Sequence, residues 1–138
     1  MNNPEDGNRS DATDAIRAAR AGTLPVEQML STLLAAKVSV PLAEPPVMEG
    51  ARMLSWKPAT VTRDTDGEQF IVVFTDDKLD GQYAKWRPEY PIRLRVGGDW
   101  LMTVLPAGHG IIFNLGGGEI LFEWSARDIQ AYPTGRQA

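Results

Sequence analysis

Residues 70–75, Phe-Ile-Val-Val-Phe-Thr, constrain the fold more than any other stretch. Successive side chains of a strand point to opposite faces, so a half-buried strand alternates apolar with polar. Here five consecutive positions are apolar, and both faces of the strand need cover. A central strand with packed layers on either side meets that need. The run is far too short to span a bilayer, which takes about 18 apolar residues. With 138 residues, the chain has the size of one domain and can bury roughly two thirds of its unfolded surface.

The elements around this strand set the fold class. Residues 1–9 are polar, contain Pro4 and Gly7, and read as a disordered arm; residues 10–138 read as a single α+β domain. A short helix is expected from Ser10, ended by Gly22. Val26, Met29, Leu30, Leu33 and Leu34 then form the stripe of a second helix, with Pro25 suited to its first turn. Val38 to Pro41 is a short extended run, and Pro41, Pro45 and Pro46 make the next segment a loop. Residues 52–62 have strand composition, interrupted by Pro58 as an edge strand or a bulge would be. Asp66-Gly67 is a hairpin turn into the central strand. Thr75 or Asp76 caps a helix over 77–86. Residues 92–96 alternate Ile92, Leu94 and Val96 inward with Arg93 and Arg95 outward. Asp99 caps one or two helical turns, and Ser125 caps a short last helix. The expectation is a mixed sheet of about five to six strands packed with helices, behind an N-terminal helical pair.

Composition removes whole classes of chemistry. There is no cysteine, hence no disulfide, thiolate nucleophile or Cys-bound zinc. A formal charge of -4 disfavours binding to nucleic acid or anionic lipid. The first residues lack the basic and apolar regions of a secretory signal. Together these point to a cytoplasmic protein with no membrane association.

The three consecutive glycines 116–118 are the most enzyme-like feature. A dinucleotide loop needs Gly-x-Gly-x-x-Gly opening a helix, and here the spacing differs and a strand-like run comes next. The stretch from Asn114 to Gly118 instead supplies residues that accept positive φ, as a tight hairpin between two strands requires. His109 is the single histidine. One imidazole cannot build a multi-histidine metal site, and no serine sits in a strained elbow to complete a triad. Asp64, Asp66 and Gly67 lack the remaining positions of a calcium loop. Asp77 and Asp80 could share a helix face, which a solvated face or cap explains as well. No catalytic residue, metal site or cofactor is expected.

The most uneven surface segment is residues 85–95, Lys-Trp-Arg-Pro-Glu-Tyr-Pro-Ile-Arg-Leu-Arg. Aromatic and arginine side chains together are the composition of interface hot spots and of stacking sites for single-stranded nucleic acid. Trp86, Arg87, Tyr90 and Arg93 are therefore candidate binding residues, with another protein favoured over nucleic acid by the charge of the chain. The simpler reading packs Trp86 in the core and leaves the arginines solvating a strand face.

Taken in order, Val38 to Pro41, Phe74-Thr75, Trp100 to Leu105, Gly110 to Asn114 and the turn at Gly116 to Gly118 resemble the SseB-type family, bacterial proteins known for an enhanced serine sensitivity phenotype. The likeness covers about residues 24–132. It departs at Leu115, where such domains usually have proline after the asparagine. The resemblance implies an α+β domain and carries over no reaction and no catalytic residues. Two functions are thus left open. One is a non-catalytic binding or protein-interaction module using the 86–93 segment. The other is a small-molecule or anion-binding protein, a hydrolase included, with His109, Asn114 and the Gly97-Gly98 turn forming a pocket.

Overall fold

The computed structural model describes residues 4–132, of which 4–10 as backbone alone. In chain order its elements are α1 (Pro4–Arg20), α2 (Val26–Ala35), β1 (Lys37–Leu42), β2 (Val47–Glu49), β3 (Arg52–Ser55), β4 (Thr60–Thr62), β5 (Gln69–Val73), α3 (Asp77–Trp86), β6 (Ile92–Gly97), α4 (Gly98–Val104), β7 (His109–Phe113), β8 (Phe122–Trp124) and α5 (Ala126–Ala131). This is an α+β fold with the N-terminal helical pair in place. The first helix begins at Pro4 rather than Ser10. Proline is tolerated in a first turn because its missing N–H has no helical acceptor there. Gly7 inside the helix carries a cost of about 1 kcal/mol, so composition points to a later start than the one observed. Residues 1–3 of the expected arm lie outside the described residues.

β5 is the centre of the sheet. It pairs antiparallel with β4 and parallel with β7, and β7 pairs antiparallel with β8. β1 and β6 form a second antiparallel pair. Two backbone hydrogen bonds between Ser39 and Phe74, 3.0 and 2.8 Å, fasten that pair to the end of β5. Six strands are thereby linked, within the expected range.

The unbroken apolar run now has its explanation. Ile71 and Val73 face one side, where Ile16 of α1, Met29 and Leu33 of α2 and Leu101 of α4 join the same buried cluster. Phe70, Val72 and Phe74 face the other, with Ala59, Ile112 and Tyr83 of α3. Each such side chain contributes about 1.5–3 kcal/mol when removed from water. Cover on both faces is what a strand without alternation requires.

Local signals account for most boundaries. Asp76 caps α3 by accepting from the Leu79 amide at 2.9 Å, and Ser125 caps α5 by accepting from the Asp128 amide at 3.1 Å. Asp99 sits inside the first turn of α4 and accepts from the Trp100 amide, so the capping position is Gly97. The turn between β4 and β5 is held by Arg63, which pairs with Asp66, Glu68 and Glu123 at 2.6–2.7 Å. Arg63 holds the Asp66 carboxyl below its ordinary range.

One element departs from expectation. Residues 47–49 are not loop but β2, paired with β3 in a separate hairpin around Gly50, which has φ 61°. A register irregularity lies between Val47 and Met48. Val47, Met48 and Leu54 are all exposed there, so no hydrophobic alternation announces β2.

Candidate functional site

The sequence candidates separate into three places. The first is the bend after β7. Asn114 has φ 60°, a conformation that asparagine tolerates better than most residues, and it is fully buried. Its Oδ1 accepts from the amides of Thr75 at 2.9 Å and Asp76 at 3.3 Å. Its Nδ2 donates to Thr75 Oγ1 at 2.9 Å and to the Ile120 carbonyl at 3.0 Å. Those four bonds use the whole capacity of the amide. Thr75 Oγ1 lies 2.7 Å from Thr13 Oγ1 of α1. Asn114 thus ties the ends of β5 and β7 and the start of α3 together, with α1 closing over them. It has no hydrogen-bonding position left for a ligand.

The glycines after it reverse the chain between β7 and β8, although not as a tight hairpin. Gly116 and Gly118 adopt positive φ, and residues 118–120 form a 3-10 turn. The Gly117 amide donates to the Asn114 carbonyl at 2.8 Å, so it closes the turn. The strand expected from Glu119 starts only at Phe122, because Ile120 is drawn inward to meet Asn114.

The second place is the opposite end of β7. His109 is its first residue and Asn114 lies just past its last, about 17 Å of strand apart. The two do not meet in a pocket. His109 is half-buried, with Nδ1 3.3 Å from the Ala107 carbonyl. Gly98, in the turn considered for an anion, is buried against α2: a Cβ there would lie 2.3 Å from the Leu33 carbonyl oxygen. Its amide already donates to the Ala36 carbonyl at 2.9 Å. Close helix approach explains this glycine.

The third place is the C-terminal end of α3. Trp86 is 68 % exposed, contrary to the simpler reading that buries it. Tyr83 lies beneath, edge-on to Trp86 at 5.8 Å, stacked with Tyr90 at 6.4 Å and tilted against Phe74 at 5.3 Å. The Arg87 guanidinium covers the Trp86 ring at 5.2 Å and reaches Glu89 at 3.2 Å. Burial raises the pKa of the Tyr83 hydroxyl, and its hydrogen bond with Arg87 partly opposes that rise. This aromatic ledge borders a groove of about 370 Å³ between α3 and the glycine loop, lined by Leu79, Gln82, Tyr83, Trp86, Leu115 and Gly116.

Arg93 does not belong to the exposed ledge. Its side chain is 18 % exposed and its Nε lies 2.6 Å from Oδ1 of Asp80, whose side chain is 7 % exposed. The approach is off-axis for a hydrogen bond at Oδ1, so charge holds that contact. Asp80 Oδ2 accepts from the Ser39 hydroxyl at 2.7 Å, and Arg93 donates to the Tyr90 carbonyl at 2.6 Å. The outward position expected for Arg93 is overridden because Asp80, on the inner face of α3, attracts it under the helix. Trp86, Arg87 and Tyr90 are therefore brought together, and Arg93 supports them from below. Leu79, Gln82, Tyr83 and Leu115 complete the surface, and sequence reasoning missed them. The signal for the first three is the i, i+3, i+4, i+7 row that ends on Trp86.

Among the described residues no group of three or more His, Asp or Glu could hold a metal ion, and no helix is long and apolar enough to cross a membrane. A larger groove, about 520 Å³, lies between α2 and α5 beside Tyr132, the last described residue.

Comparison with known proteins agrees with the resemblance drawn from the motifs. No curated protein and no solved structure matched. The family model described as the SseB protein N-terminal domain matches residues 13–124, from Thr13 of the polar hub to Trp124 of the last strand. The chain belongs to the SseB N-terminal domain family.

Proposed function

We propose that this SseB-family domain is a non-catalytic protein-recognition module and that its contact surface is the ledge of Trp86, Tyr83, Tyr90 and Arg87. The single observation that carries this reading is the exposure of Trp86 at the lip of an apolar groove. An indole left in water forgoes roughly 2–3 kcal/mol of burial. Tryptophan, tyrosine and arginine are also the side chains that dominate binding energy at interfaces. The ring is held by Tyr83 on one side and Arg87 on the other, so little ordering entropy remains to be lost on binding.

The distribution of polar groups supports the same reading. The asparagine that could have served a ligand is saturated internally, and His109 is five strand residues away from it. Neither arrangement places a nucleophile beside a base.

Trp86→Ala tests the proposal. The variant is expected to keep the far-ultraviolet dichroism and melting temperature of the parent while losing co-purification of a native protein. Undiminished recovery of that protein would overturn the assignment of the surface.

A further inference from the structure

The groove beside Trp86 is apolar at its floor, and lysines lie on the helix flank that adjoins it. Leu79, Tyr83 and Trp86 point from one face of α3, and Lys78, Gln82 and Lys85 lie on the adjoining flank by the helical repeat. Lys78 and Lys85 are seven residues apart, two turns, or about 10 Å along the axis. Both are exposed, and neither forms an ion pair among the described residues, whereas Arg17 and Arg63 each meet carboxylates. Arg87, on the opposite flank of the helix, is instead engaged by Glu89 at 3.2 Å. Two lysines thus flank one apolar slot in a chain whose net charge is -4. A cationic flank beside an apolar floor complements an apolar side chain flanked by carboxylates.

We infer that the groove takes a short acidic segment of another protein, with one apolar anchor seated between Leu79, Trp86 and Leu115 and carboxylates set against Lys78 and Lys85. This inference rests on the reading of the ledge as a protein-recognition surface and specifies the chemistry of what it receives. A single-stranded nucleic acid fits less well. Successive bases need successive stacking rings, and the floor offers Leu79 and Leu115 instead. A second copy would present a flank of the same sign, and like flanks repel.

The test is a titration of the full chain with fluorescein-labelled peptides, read by anisotropy at low and high salt. One peptide carries a central leucine flanked by aspartate and glutamate. The second has the acids replaced by lysine, the third has the leucine replaced by serine, and a fourth probe is a 12-nucleotide single strand. The expected result is at least tenfold tighter binding of the first peptide than of the second or third, weakened by salt. The K78E/K85E variant should reverse the preference between the acidic and basic peptides, an outcome that a merely structural role for these lysines would not produce. Equal binding of the acidic and basic peptides, no binding of either, or tighter binding of the oligonucleotide would overturn the inference. Should the acidic peptide fail while Trp86→Ala still abolishes recovery of a native protein, the recognition surface stands and only the chemistry of its occupant falls. Should both fail, the surface falls with it.

Discussion

The two ends of α3 put their surroundings to opposite uses. At its start, Asn114, Thr75 and Thr13 form a polar hub that is buried and saturated. At its end, Trp86 and its neighbours form an apolar ledge that is open. Both regions contain side chains that suggest function. The hub's polar atoms are all engaged with each other, so it stabilises. The ledge's apolar atoms are engaged on one side only, so it can still receive something. What distinguishes a site from a brace here is unused capacity, which composition does not reveal.

Removing Asn114 should cost the most. Asn114→Ala leaves two amides and one carbonyl buried without partners, each costing about 1–3 kcal/mol. The expected loss is about 4 kcal/mol in urea unfolding, with partner binding by the remaining folded protein intact. A loss below about 1 kcal/mol would mean that the hub does not brace the strand ends.

Arg93→Ala comes next, because it strands the buried Asp80 carboxylate. Removal of one member of a buried pair costs about 3–5 kcal/mol, and the partial exposure of Arg93 puts this one at the lower end, about 3 kcal/mol. Arg93 lies under the ledge yet should behave like the hub, so this substitution separates position from role. A near-neutral melting temperature would place Arg93 back on the surface.

Trp86→Ala should change stability by no more than about 0.5 kcal/mol, as is usual at exposed positions. His109→Ala should be smaller still in every assay, because its ring makes one long contact at 3.3 Å. A decrease in partner recovery with His109→Ala comparable to that with Trp86→Ala would erase the difference between the regions.

How much of this is legible in the chain depends on the physics of each element. The apolar run 70–74 needs cover on both faces, and it has it. The caps at Asp76 and Ser125 and the turn at Gly67 are local signals, and they appear where their residues place them. Strand β2 stays hidden because Val47, Met48 and Glu49 are all exposed and Pro45-Pro46 reads as loop. The partition of the candidate site is hidden for another reason. Whether Arg93 faces out depends on Asp80 thirteen residues earlier, and whether Asn114 is free depends on Thr75 and Ile120. Those are long-range pairings that strand alternation and helix periodicity do not encode. Asn114 and His109 invite a shared pocket because they flank one strand, but the length of that strand is what separates them.

Position-resolved photo-crosslinking decides whether the ledge is the surface that meets a partner. A benzophenone side chain is placed at residue 86, at residue 109 or at residue 54 of the exposed hairpin, and the full chain is irradiated in its native cells. A protein adduct is expected from residue 86 and none from the other two. Adducts from residue 109 or 54 with none from residue 86 would contradict the assignment.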